Sequence, residues 1–204
     1  LKNRWLRFAK INILPQAEHI WECLDALYNE ENRHYHNLVH IKDCLEKLDN
    51  WPTEVRQKNA VELAIWFHDV IYDSTRADNE ESSAALTTHF LRGHPLEVDA
   101  CALILATRHK ETEGMQAEEV LCDIDLSILG AATDGKYVQY AKNIRQEYAW
   151  VPEDEYCEAR ARVLGNFLNR EDLYQTPYAK GKWEKQAIIN IKMERKMLLS
   201  GKTF

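Results

Sequence analysis

The chain has 204 residues, of which 45% are hydrophobic and 29% charged, with a formal net charge of −7. That length buries one good core without disulfide staples, so the expectation is a single domain over residues 1–204. The acidic balance argues against a sequence-independent grip on duplex nucleic acid, which needs a broad basic surface, but it leaves room for a small phosphorylated substrate held by a few local cations. No run reaches the length of a membrane span, and Leu1 to Lys10 lacks the apolar stretch of a signal peptide. No membrane partner is expected, and a cytoplasmic location is the default. The sequence also allows a homo-oligomer. Cys23, Cys44, Cys101, Cys122 and Cys157 are odd in number and never in C-x-x-C spacing, which reads as reduced and mostly core cysteine.

Apolar periodicity is helical almost throughout. After Pro15, Ile20, Leu24 and Leu27 recur at helical spacing, and Leu38, Ile41, Leu45 and Leu48 repeat the pattern in a helix read as starting near Tyr35. Pro52-Thr53-Glu54 opens a segment carrying Val61, Leu63, Ala64 and Ile65. Asp78, followed by Glu80 and Glu81, has the character of an N-cap and first turn, and Gly93 with Pro95 marks that helix's end. Further helices are expected from Leu96 to Thr107, Lys136 to Tyr148, Glu153 to Asn169 and Trp183 to Leu199. The acidic segment Glu111 to Glu119 reads as a solvated loop and short helix, and Tyr137, Tyr140, Tyr148, Trp150, Tyr156, Phe167 and Tyr174 as core rather than a base-stacking platform. No alternating run is long enough for a sheet. The expected fold class is all-α, a single-domain helical bundle of about eight or nine helices.

Metal-ligand residue types gather in three segments: Tyr35-His36-Asn37-Leu38-Val39-His40, His68-Asp69 and Asp123-Ile124-Asp125. The His-Asp pair ends the apolar run Ala64-Ile65-Trp66-Phe67, and burying such groups costs several kcal/mol unless something pairs with them. A divalent ion (Mn, Mg, Fe, Co, Ni or Zn) suits imidazole plus carboxylate and leaves positions for water or substrate. On a continuous helix His36 and His40 share one face, although an isolated pair of that kind is more often ordinary surface polarity. Adjacent helical residues diverge by about 100°, so His68 and Asp69 share an ion only if the helix meets it near its end. Asp73, read as one turn beyond Asp69, is a candidate for orienting a ligand or a water, with a solvated helix-end carboxylate as the equal alternative.

The set His40, His68-Asp69 and Asp125 resembles the H…HD…D signature of the HD-domain superfamily of metal-dependent phosphohydrolases. The likeness extends over Tyr35 to Ile41, Ala64 to Asp73, Asp78 to Ala84, Thr107-Arg108-His109 and Asp123 to Gly130, and is similar to one bacterial subgroup of HD phosphohydrolases. The resemblance implies an HD-domain, phosphodiesterase-like helical fold with His40, His68, Asp69 and Asp125 as metal ligands. Asp125 is preferred to Asp123 because the superfamily's last aspartate usually directly precedes a run such as Leu126 to Leu129. It also implies that His36 donates a proton to the leaving oxygen. The implied function is hydrolysis of a phosphate ester or phosphoanhydride in a small molecule, nucleotides included, by a metal-bound hydroxide. Arg33, Arg108, His109 and Lys110 are the cations expected on the phosphate oxygens. Two rivals are a di-iron HD-fold oxygenase, which would recruit His89 and His109, and a regulatory domain that binds a metal or nucleotide without turnover.

Overall fold

The computed structural model describes residues 1–109, 114–132 and 135–204. Among these there is no strand, in agreement with the expected all-α class. The helices are α1 (Lys2–Asn12), α2 (Ala17–Tyr28), α3 (Leu38–Asp49), α4 (Lys58–Phe67), α5 (Asn79–Leu91), α6 (Glu97–Ala106), α7 (Gln116–Asp125), α8 (Lys136–Glu147), α9 (Glu153–Leu168), α10 (Pro177–Ala179) and α11 (Lys185–Leu198). A 3-10 turn follows α7 over Leu126–Gly130, and a π-helical turn over Lys180–Glu184 joins α10 to α11. The chain divides into two compact units, Leu1–Cys122 and Asp123–Phe204, the division falling within α7. None of the helices is long and apolar enough to cross a membrane, among the described residues.

In the first unit α4 is the central element. Every residue from Ala60 to Phe67 is buried except Glu62, which is half-buried, and α3, α5 and α6 all pack against the helix. The continuous apolar run is what a helix surrounded on all sides requires. Helix α1, which carries no marker in the sequence reading, presents Trp5, Phe8 and Ala9 on one buried face. Trp5 meets Trp66 edge-on with ring centroids 5.6 Å apart, and Trp21 of α2 meets the same indole at 6.3 Å. Large aromatic surfaces meeting edge to face contribute both burial and favourable quadrupole geometry.

Helix α3 starts three residues later than the periodicity suggests. Asn37 has extended backbone and its side-chain oxygen accepts from the Val39 amide at 2.9 Å, so it is the N-cap. His36 therefore lies before the helix rather than one turn below His40 on it. Helix α4 opens at Lys58, several residues after the Pro52-Thr53-Glu54 segment expected to start it, and the helices expected over Leu96 to Thr107, Lys136 to Tyr148 and Glu153 to Asn169 are found within a residue of those ends, whereas the last is not. There the helical run begins at Pro177, with Thr176 as N-cap, instead of at Trp183.

The second unit is built on α9 and α11, with the 3-10 turn packed against α8 and α11. Buried Asn190 donates to the Leu129 and Ala131 carbonyls, fixing the end of that turn. Gly130 is required by contact: a Cβ there would lie 2.5 Å from the Trp183 Cβ and 2.8 Å from its carbonyl oxygen. Buried Glu194 of α11 takes an Arg160 Nε hydrogen bond at 2.9 Å and one from the Tyr137 hydroxyl. Tyr137, Tyr156 and Tyr174 are core residues as expected, whereas Trp150 is exposed.

Candidate metal centre

The termination of α4 decides the geometry of the His-Asp pair. The helix stops at Phe67, so His68, still with helical backbone angles, and Asp69 lie in the turn at its end, the end-on presentation in which adjacent residues can share an ion. A helix ending in the protein interior must place its last carbonyls. Here each has a partner. The His68 amide takes Ala64 O, the His68 ring Nδ1 faces Ile65 O at 3.0 Å, the Tyr28 hydroxyl donates to Trp66 O, and the Val70 amide takes Phe67 O. Arg33 holds the two carbonyls beyond, donating from Nη1 to Asp69 O at 2.5 Å and from Nη2 to Val70 O at 2.8 Å.

With Nδ1–H donated to Ile65, the His68 Nε2 turns a lone pair inward. It faces His40 Nε2 at 3.1 Å and Asp69 Oδ2 at 3.0 Å, and His40 Nε2 is 3.5 Å from the same oxygen. The two histidine side chains are 2% exposed and that of Asp69 is 16% exposed. Without an ion, a proton on His40 Nε2 bridges the two nitrogens; with both nitrogens turned lone pair inward beside the carboxylate, the trio calls for a positive charge among them. Two ligand atoms each about 2.1 Å from a common ion are about 3.0 Å apart at a right angle and about 3.4 Å apart at the tetrahedral angle. The three observed distances span that range. His40, His68 and Asp69 thus form a buried group that can hold a metal ion. Burial works to raise the Asp69 pKa, but His68, His36 and His40 outweigh it and hold the carboxyl well below the usual aspartate range.

His36 lies beside this trio. Its ring centroid is 6.1 Å from that of His40 and 3.9 Å from that of Tyr72, against which it stacks at 26°, while Tyr35 meets it edge-on at 5.0 Å.

Other expected residues fall differently. Arg33 was expected on substrate, but its side chain is 2% exposed and its donors are taken: besides Asp69 and Val70 they reach the His36 carbonyl and the Glu30 carboxylate. The guanidinium also lies over the Tyr28 and Tyr72 rings, and its work is to build the turn that carries Asp69. Asp73 is exposed and not helical; its Oδ1 accepts from the Thr75 amide and hydroxyl, forming a local turn that lowers its pKa. It therefore does not stand one helical turn beyond Asp69. Arg108 is half-buried and ion-paired with Glu81. His109 closes the end of α6 with a left-handed backbone, φ 53°. Lys110 lies outside the described residues, as do Glu111 and Glu113 of the acidic segment.

In the second unit the two aspartates of α7 are distinguished by their partners. Asp123, 1% exposed, accepts from the Gln175 amide at 2.8 Å, the Thr176 amide at 2.8 Å and the Thr176 hydroxyl at 2.7 Å. Its carboxylate anchors the segment before α10. Asp125, half-buried, is the last residue of α7. His89 is exposed, and neither it nor His109 belongs to a metal-ligand group among the described residues. His94 is tied to the Asn12 carbonyl and the Leu96 amide, a packing role. None of the five cysteines is joined in a disulfide. No protein-family model, no curated protein and no solved structure matches the chain.

Proposed function

We propose that this protein is a metal-dependent phosphohydrolase of the HD type, acting on a phosphate ester or phosphoanhydride in a small molecule. The observation that carries the reading is the buried approach of two imidazole Nε2 atoms, 3.1 Å apart, to one carboxylate oxygen. His40, His68 and Asp69 are the ligands on that reading, and Asp125 is the fourth. The commitment of Asp123 to the Gln175–Thr176 backbone supports Asp125 over its neighbour. A divalent ion in this donor set supplies an acidified water and draws charge from a phosphoryl oxygen. Two imidazoles and two carboxylates would leave positions for water and substrate on an ion that takes five or six ligands.

The chain's own groups do the rest. His68 is held in one tautomer by Ile65 O, which keeps Nε2 available as a ligand. Arg33 holds the Asp69 carbonyl, so the carboxylate is offered from a fixed backbone. His36, beside His40 and outside the ligand set, donates a proton to the departing oxygen. His109 and Lys110 take non-transferred phosphate oxygens, and Arg108 joins them by exchanging the Glu81 carboxylate for a phosphate oxygen. With His89 exposed, one of the two histidines that a two-iron centre would recruit, His89 and His109, is turned to solvent, which favours the single-ion reading.

The test is metal content by elemental analysis of protein purified without chelator, with a phosphate-release screen over nucleotides, phosphomonoesters and pyrophosphates. About one equivalent of metal, lost together with phosphate release in His68→Ala and Asp69→Ala, is the expected result. Metal without turnover would replace the reading by a binding domain, and a folded, metal-replete protein that takes up no ion would overturn the site.

A further inference from the structure

The segment after the His-Asp turn is held by α5 in a way the phosphohydrolase reading does not use. Ser83 Oγ accepts from the Ile71 amide at 3.1 Å and donates to the Ile71 carbonyl at 3.2 Å. One helical turn earlier, Asn79 Oδ1 accepts from the Asp73 amide and Asn79 Nδ2 donates to the Asp73 carbonyl, both at 3.0 Å. In an extended chain, residues i and i+2 direct their amide and carbonyl groups to the same side. Two side chains four residues apart on α5 thus pair with that side as a neighbouring strand would, and both are reciprocal. Ser83 is fully buried. The residue between the two pinned positions is Tyr72.

The ring of Tyr72 is in turn the stacking partner of His36, with centroids 3.9 Å apart and planes 26° from parallel. Arg33 reaches both sides of that stack, lying 5.9 Å from the Tyr72 ring centroid and donating to the His36 carbonyl. His36 belongs to no helix, since α3 begins only after the Asn37 cap, so its own backbone does not fix its ring. We infer that Asn79 and Ser83 are positioning residues that act through Tyr72 to hold the His36 imidazole in one orientation beside the trio. The inference rests on the proton-donor role proposed for His36 insofar as it assigns a purpose to the clamp. Neither Asn79 nor Ser83 would touch substrate; their effect is transmitted by backbone placement and one ring stack.

The experiment reads the stack without requiring turnover. In the intact chain labelled at histidine, the His36 ring protons, assigned with His36→Gln, should resonate upfield because they lie over the face of Tyr72. Tyr72→Phe should retain the displacement, Tyr72→Leu should abolish it, and Asn79→Ala combined with Ser83→Ala should reduce it while the His94 ring signals stay in place. Retention of the full displacement in the Asn79→Ala, Ser83→Ala protein would overturn the inference. So would its retention in Tyr72→Leu. A kinetic arm then tests the purpose, with the metal-loaded protein acting on phenyl phosphate and on p-nitrophenyl phosphate. His36→Ala should lower kcat on the poor leaving group on the order of 100-fold, in the range of a lost general acid, and hardly change the good one. Tyr72→Leu should follow it in the same pattern with KM held, because misplacement alone is costly, whereas Tyr72→Phe should restore the wild-type ratio. Equal loss on both esters in Tyr72→Leu would overturn the assigned purpose. Failure of wild type on every phosphate compound would sink the hydrolase reading itself, with the ring shifts still deciding the clamp.

Discussion

Replacing Arg33 separates a residue that builds the site from one that binds substrate. In Arg33→Ala the Asp69 and Val70 carbonyls lose donors at 2.5 and 2.8 Å, in a place where the side chain is 2% exposed. Hydrogen bonds to a charged group contribute about 1.5–3 kcal/mol each. The 3.3 Å bond to the His36 carbonyl is long and adds little, and the pair with Glu30, whose side chain is 50% exposed, adds at most about 1 kcal/mol. The expected loss is about 3–5 kcal/mol, because two carbonyls lose charge-assisted donors in the protein interior. For a chain of this length that is a fall in Tm on the order of 10 °C. Arg33→Lys, which reaches one of the two carbonyls, should fall between. The assay is thermal unfolding with and without added divalent metal, beside a metal titration at a temperature where all variants are folded. Arg33→Ala should also bind metal more weakly, because the Asp69 backbone is no longer fixed. An unchanged Tm with intact metal uptake and a raised KM would refute the reasoning and return Arg33 to the substrate.

Removing metal should destabilise the wild type: an ion at about 100 times its Kd contributes about 2.7 kcal/mol, so chelator should lower Tm, while His68→Ala and Asp69→Ala should not respond to chelator. Asp123→Asn should lower stability by about 1–3 kcal/mol through its lost charge-assisted bonds and keep its metal, whereas Asp125→Asn should do the reverse; calorimetry and metal analysis on the pair separate the two carboxylates. Gly130→Ala should cost about 1–3 kcal/mol or more by overpacking against Trp183, measured as a shift in the urea midpoint, and a neutral outcome would mean that the 3-10 turn moves freely. The depressed Asp69 pKa fixes a sign for acid unfolding. A carboxyl whose folded value lies below its unfolded value contributes stability above the ordinary aspartate pKa, about 3.9, and loses it as pH falls through the folded value. In chelator, wild type should therefore lose stability more steeply than Asp69→Asn below about pH 4.

The all-helical class and the His-Asp pair were legible in the sequence because both rest on local pattern: apolar spacing in one case, a charged pair closing a greasy run in the other. Helix ends were less so. Asn37 is a good cap residue, yet Tyr35 and His36 extend the apparent pattern backwards, and only the Asn37–Val39 hydrogen bond shows where α3 begins. Nothing in Phe67-His68-Asp69-Val70 is a helix breaker; α4 stops because side chains from elsewhere take its carbonyls, so Asp73 was wrongly carried on one more turn. Arg33 was misread for the same reason. Its partners are backbone oxygens 36 and 37 residues away, and a carbonyl acceptor leaves no trace in residue identity. Asn79 and Ser83, too, read as the polar start of a helix because their acceptors and donors are main-chain groups of Ile71 and Asp73. Helix α1 was missed because its buried face of Trp5, Phe8 and Ala9 is short and surrounded by basic residues.

The carbonyl accounting at the end of α4 has a consequence for metal selectivity. Because the turn is completed by Tyr28, Arg33 and the His68 ring, its backbone does not depend on an ion, and the positions from which His68 and Asp69 offer their side chains are set by the protein alone. A scaffold that does not reshape itself around its guest discriminates mainly by intrinsic affinity, which for nitrogen and oxygen donors rises from Mn towards Cu. The occupant of freshly isolated protein should then follow the ions present during expression and lysis, and exchange when another is supplied in excess. Supplementing cultures with different metals would yield differently loaded protein of one and the same fold, and the working ion would be identified by comparing those preparations rather than by the occupant of any one of them.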